Sequence, residues 1–235
     1  MGQAKKRSDE IKALKAHGRR DDQALGKFKP AAVHESAHVI AAMHFDVPIG
    51  DGGVSLKERE DGRVSGFNDA RPNQKHGNLS MGELADNRQA FLEHQTINFA
   101  GAFAEFFWGG RLIERGFDVW LSDFAHAMKI EGKRLGQGEV FYSGEQLKEL
   151  RQIASRCFAL LDDHATEIGP VPVGDKDIGP LIGEAVLGTR KFIQTYWKDI
   201  LDFSDVLLAS PGLAMTKARV DEWATVNFRR QNEFW

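Results

Sequence analysis

The run His34-Glu35-Ser36-Ala37-His38 places two imidazoles four residues apart, with a carboxylate beside the first. On a helix, positions four apart project from one face, so His34 and His38 can offer nitrogens to one metal ion while Glu35 stands next to them. Imidazole nitrogens suit zinc, and a carboxylate one residue from a ligand suits the work of a general base on water. A catalytic zinc takes three protein ligands and keeps an open position, which leaves one ligand to find. Three residues compete for that place. His44 stands ten residues beyond His34, and on an unbroken helix that is about 15 Å along the axis and about 80° round it, out of reach of the same ion. Position 41 is Ala, where a Gly would let the helix break sharply. Glu105 lies among Phe103, Phe106 and Phe107, where an unpaired carboxylate is costly and a zinc or a ligand histidine is a natural partner. Asp123 follows Ser122 at the start of a later helical stretch, and His126, three residues on, is an outlying candidate.

These residues need elements to carry them. From Pro30 onward Val33, Ala37 and Ile40 recur at helical spacing, which predicts a helix over about 30–45, ended by Asp46-Val47-Pro48. The runs GGVSLKE and GRVSGFND alternate apolar and polar positions across Arg59-Glu60-Asp61-Gly62, where Asp-Gly is a hairpin signal. Ser55 and Lys57 offer polar positions along which an extended substrate can pair with the strand. Residues 69–79 read as a loop, and Ser80 with Glu83 forms a capping box for a long helix that runs to Trp108 and stops at Gly109-Gly110. Ser122 can cap a helix over about 123–135, and another spans about 144–166. The segment IGPVPVGDKDIGP is a linker or ordered loop before C-terminal helices near 181–209 and 213–230. The expected fold class is mainly α with a small β-hairpin or sheet.

At 235 residues with 42% hydrophobic content the chain can bury a substantial core. Lys and Arg number 31 against 34 Asp and Glu, a net charge of −3, which disfavours nucleic acid as a partner. The first 29 residues differ, with nine Lys/Arg against four Asp/Glu, and read as a basic arm. A single cysteine, Cys157, cannot form an internal disulfide; a core role in a reducing compartment fits it. No apolar run approaches the ~18 residues of a membrane span, and the polar N-terminus is unlike a signal peptide. A cytoplasmic location follows as the expectation. Phe103, Phe106, Phe107 and Trp108 read as a packing face, and the ending NFRRQNEFW as a segment that docks on the body or on another copy. No G-x-x-x-x-G-K-[ST] phosphate loop occurs.

Three separated segments carry a family resemblance. FAGAFAEFFWGG resembles the Gly/Ala-AE helix of the FtsH-type zinc peptidase domain, and LSDFAHAMKI resembles the segment in which that family places an Asp ligand, followed four residues later by Ala. VSL and GRVSGF are similar to the two strands that follow the family's zinc helix. The likeness spans roughly residues 30–165, with Phe103 in place of the usual Arg before the AE pair and RGFDVWLS in place of a Thr-Gly-rich loop. The resemblance implies a zincin-like helical peptidase domain that holds Zn²⁺ through His34, His38 and Asp123, with Glu35 as catalytic base and Glu105 in a supporting position. It divides the chain into a basic arm (1–29), a zinc metallopeptidase domain (30–166) and a C-terminal helical extension (167–235). The family's ATPase motor and membrane segment have no counterpart in these residues. An ATP-independent endopeptidase acting on flexible or unfolded polypeptides is therefore implied, with a separate ATPase or another copy of the chain as partner. The rival is a non-catalytic zinc-containing binding or regulatory module. Glu35 favours the enzyme, since a structural zinc needs no general base.

Overall fold

The computed structural model describes residues 26–77, 79, 81–109 and 144–230, with the backbone alone at 144–147, 149 and 150. Most of the basic arm, Ser80 of the capping box, Asp123, His126 and the helix expected over about 123–135 lie outside the described residues. Among the described residues the protein is mostly helical, with one small antiparallel sheet and a two-stranded hairpin.

Helix α1 (Lys29–His44) carries Pro30 in its first turn, where a missing N–H leaves no helical bond unmade. Twelve of its residues are buried, on all sides of the helix, so it has to be covered from every direction. The hairpin of β1 (Ile49–Glu58) and β2 (Val64–Ala70) closes one side, with Val54 opposite Asn68, Leu56 opposite Gly66 and Glu58 opposite Val64. The hairpin turn holds through Arg59 N–H to Arg63 O at 2.7 Å and Gly62 N–H to Arg59 O at 2.9 Å.

Residues 69–79 are not wholly a loop, because Pro72 starts a short helix α2 (Pro72–His76). The long helix expected from residue 81 is broken into α3 (Met81–Asp86) and α4 (Arg88–Gly109). Asn87 causes the break: its Oδ1 accepts the Ala90 N–H at 3.1 Å, so it caps a new helix where a continuous one would have to bury that side chain's competition with the backbone. Helix α5 (Gly144–Leu161) ends five residues short of the expected boundary. Asp163 adopts φ 60°, and His164 N–H reaches back to Ala159 O at 2.7 Å, which closes the helix end.

The Pro/Gly-rich segment that follows forms the hairpin of β3 (Pro172–Val173) and β4 (Lys176–Asp177), pinned where Asp177 Oδ1 accepts the N–H groups of Val171 and Gly179 at 2.8 and 2.9 Å. Helix α6 (Gly179–Leu208) then crosses the molecule and packs on both α1 and α4, with a local break from helical geometry at Tyr196. After a single 3₁₀ turn, β5 (Ala214–Met215) pairs with β1 before helix α7 (Lys217–Asn227). The sheet order is β2-β1-β5, so β1 is central. Ser55, foreseen as a substrate-pairing position, is already paired on both sides, with Phe67 and Ala214.

The core joins all these elements, with Phe91, Phe99, Phe103, Phe158, Phe192 and Phe203 fully buried. Phe103 meets Phe158 edge-on at 5.3 Å, and Phe203 meets Trp223 at 4.9 Å. Phe106 packs on Phe158 and Phe107 on Trp197, whereas Trp108 is 43% exposed with the Lys29 ammonium over its ring. Cys157 is buried, and burial pushes its thiol up to about 12, the state of an inert core residue. Arg230 ties the end of the described chain to the end of α1, donating to Met43 O at 2.8 Å and pairing with the Asp46 carboxylate. No helix among the described residues is long and apolar enough to cross a membrane.

Burial pushes His44 down to about 4, with the Arg230 charge adding to the effect, and burial likewise pushes His94 down to about 4. In the unfolded chain both titrate near the ordinary value of about 6.5. Between pH 6.5 and 4 the unfolded state therefore holds more protons, so stability is fully present above about pH 6.5 and declines as the pH falls through that window. Urea unfolding followed by circular dichroism in the presence of a chelator should give a lower midpoint at pH 5 than at pH 7, with a smaller drop in His44→Gln. A midpoint that rises on acidification contradicts this account.

Candidate metal centre

The centre forms where α1 and α4 cross. His34 and His38 lie on one face of α1, one turn apart, and their Nε2 atoms stand 3.1 Å from each other. The rings meet edge to face, with centroids 4.8 Å apart. Each ring turns its other nitrogen toward a residue of α4. His38 Nδ1 lies 2.6 Å from the Ile97 carbonyl oxygen, which can only accept, so Nδ1 carries the proton and Nε2 presents its lone pair. His34 Nδ1 lies 2.8 Å from Glu105 Oε1, within ion-pair distance but without the alignment of a hydrogen bond, so this contact does not fix the His34 tautomer. Burial, with the His34 ring beside it, pushes His38 down to about 3, so its imidazole is neutral across the physiological range.

The 3.1 Å contact is a hydrogen bond when His34 carries its proton on Nε2, and a pair of lone pairs open to a cation when it carries it on Nδ1. Two nitrogens on one tetrahedral zinc, each ~2.1 Å from it, stand about 3.4 Å apart, close to the spacing found here. The opposing wall is Gly101 of α4. A Cβ there would sit 2.3 Å from His38 Nε2 and 2.6 Å from His34 Nε2, so only a residue without a side chain lets the helices approach around these two atoms. Donor types, donor spacing and cradle all fit an imidazole-preferring divalent ion.

Glu35 follows His34 in sequence and so projects about 100° round the helix, away from α4 and toward β2. Its Oε2 accepts a hydrogen bond from Asn68 Nδ2 at 2.6 Å, and Gly66 lies against its other oxygen. His34, Glu35, His38 and Glu105 are all buried, between 5% and 8% exposed. Four ionisable groups in one apolar crossing are expensive to bury, which makes the crossing the candidate functional site.

The foreseen residues sort as follows. His34, His38 and Glu35 come together on α1, and Glu105 reaches the outer nitrogen of His34. His44 does not join them: α1 runs unbroken through Ala41, and His44 Nδ1 is 2.8 Å from the Tyr196 hydroxyl of α6. Asp123 and His126 lie outside the described residues. Among the described residues no group of three or more His, Cys, Asp or Glu is placed to hold a metal. Asn68, Gly66 and the Ile97 carbonyl were not foreseen. Gly66 and Asn68 alternate on one face of a strand that the sequence does predict, but nothing in it says that this face covers Glu35. The chain matches no protein-family model, no curated protein and no solved structure.

Filling the Gly101 cradle should block the centre without touching a donor. Gly101→Ala is expected to weaken zinc or cobalt uptake at least about tenfold, since close-packed helices cannot retreat by the required distance at no cost. His44→Ala should leave uptake unchanged. Metal titration of the purified chain checks both, and full affinity in Gly101→Ala removes the cradle from the account.

Proposed function

We propose that the chain is a zinc-dependent endopeptidase that hydrolyses peptide bonds of flexible or unfolded polypeptides. The observation that carries this reading is the convergence of the His34 and His38 Nε2 atoms, with His38 tethered through Nδ1 to Ile97 O and the Glu105 carboxylate 2.8 Å from His34 Nδ1. His34, His38 and Asp123 are the proposed ligands. Asp123 enters on the family resemblance alone. When bound, zinc supplies a Lewis acid that polarises the scissile carbonyl and acidifies a water to a pKa of about 7.

The chain's own residues supply the rest. Glu35, one residue from a ligand and directed away from α4, accepts the proton of the attacking water and returns it to the leaving amine. Glu105, 2.8 Å from His34 Nδ1, supports that ring electrostatically from its outer side. Ile97 O holds the proton on His38 Nδ1, which keeps that ring in the ligating tautomer. The β2 strand that covers Glu35 lies at the sheet edge. An extended polypeptide can add there through backbone hydrogen bonds, which favours substrates that already offer an unfolded segment. These residues contain no phosphate loop to couple ATP to unfolding, so the proposed activity is ATP-independent.

Glu35→Gln should retain zinc while losing peptide hydrolysis by about 10²–10⁴-fold, because the amide keeps the shape but cannot take the proton. The assay compares a permanently unfolded protein with its folded form, with and without ATP, beside zinc content measured on the same samples. Cleavage of the unfolded form alone, indifferent to ATP, is the expected result. An unaltered chain that holds zinc and cuts neither form is instead a non-catalytic zinc module.

A further inference from the structure

Strand β2 passes directly over Glu35, and two of its residues shape the space that the carboxylate occupies. We infer that Asn68 is a positioning residue that holds the Glu35 carboxylate in its working orientation, with Gly66 leaving the room for it; this rests on the reading of Glu35 as the proton acceptor.

The contact has one polarity. A carboxylate only accepts, so the group at 2.6 Å from Glu35 Oε2 is the Asn68 amide nitrogen. The amide oxygen turns the other way, toward the Ala70 N–H at 3.4 Å, which fixes which end of the side chain faces Glu35. The Asn68 backbone is held opposite Val54 of the central strand, itself fully buried, so the donor stands on a braced element. Two positions away on the same face, a Cβ at Gly66 would fall 2.2 Å from Glu35 Oε1 and 2.3 Å from its Cγ. The side chain between them, Phe67, points to the opposite face and is 53% exposed.

A glutamate side chain turns about three bonds, and a base that wanders by ~1 Å loses about 10²-fold in rate. Donation from Asn68 to one carboxylate oxygen and the shallow wall at Gly66 restrict those bonds. The pattern Gly66-Phe67-Asn68 thus works as a saddle for the base, built on an element separate from the two helices that hold the imidazoles.

The test uses the full chain loaded with zinc and an unfolded protein as substrate. Asn68→Ala should lower kcat about 10- to 100-fold with KM and zinc content unchanged, the signature of a displaced group and not of lost binding. Asn68→Gln, which keeps the donor, should recover part of that loss, and Gly66→Ala should lower kcat without lowering zinc content. A kcat within twofold of the unaltered chain in Asn68→Ala overturns the inference. A second readout needs no activity: urea unfolding of Asn68→Ala, Glu35→Ala and the double variant should show losses that do not add, and additive losses overturn the inference. If the unaltered zinc-loaded chain cuts no polypeptide, the peptidase reading fails, and the unfolding cycle alone then decides whether Asn68 holds Glu35.

Discussion

The structure depends on how closely α1 and α4 approach at Gly101. Ile97, Gly101 and Glu105 are spaced four residues apart and form one stripe on α4, and His34 and His38 form a matching pair on α1. His38 meets Ile97 and His34 meets Glu105, so the two helices cross in opposite directions and the outer nitrogen of each ring faces α4. The missing side chain at the middle of the α4 stripe is what leaves space for both Nε2 atoms. A bulkier residue there would separate the helices or turn the rings, and the contacts at Ile97 and Glu105 would then be lost. Helix register, the His38 tautomer and donor spacing are therefore one constraint and not three.

That constraint sets the roles of the remaining elements. Since α1 is covered by α4 on its histidine face, its neighbouring face, which carries Glu35, has to be covered by something that accommodates a carboxylate. The β-hairpin does so with a glycine and an amide in place of apolar side chains. Helix α6 closes α1 and α4 from another side with Phe192, Tyr196 and Phe203, so the segment after residue 166 contributes to the core around the site. Buried polar groups in a core cost stability unless each is met by a partner. The gathering of His34, Glu35, His38 and Glu105 at one crossing is the kind of local conflict that makes it the candidate site.

Much of this was legible in the sequence because it is local. The i, i+4 histidines, Pro30 and the apolar repeat of Val33, Ala37 and Ile40 define α1 to within about a residue of its observed ends. The Asp-Gly turn and alternating residues define the hairpin. What was not legible depends on a single side chain competing with the backbone or on contacts between distant segments. Asn87 splits a strongly helical stretch by offering its own Oδ1 to the Ala90 N–H, a choice that helical periodicity does not encode. The third strand is two residues long and exists only because α6 delivers Ala214 and Met215 alongside β1. Likewise, Glu105 could be assigned a need for a partner from its apolar neighbours, but the identity of that partner required the helix crossing.

His38 and His44 show how much a histidine's role owes to what surrounds it. Both are buried on α1, and burial lowers the proton affinity of both. His44 is surrounded by the rings of Phe45, Phe192 and Tyr196 and makes its hydrogen bond to the Tyr196 hydroxyl, which can donate or accept, so no tautomer is imposed. His38 faces a carbonyl on one side, which imposes the tautomer, and on the other a second imidazole nitrogen toward which its Nε2 lone pair is turned. The first environment makes a core histidine, and the second leaves an imidazole lone pair facing a second imidazole. The same residue type six positions along the same helix thus serves packing in one place and turns a lone pair toward a second imidazole in the other, and the difference lies in the atoms that α4 and α6 bring to it.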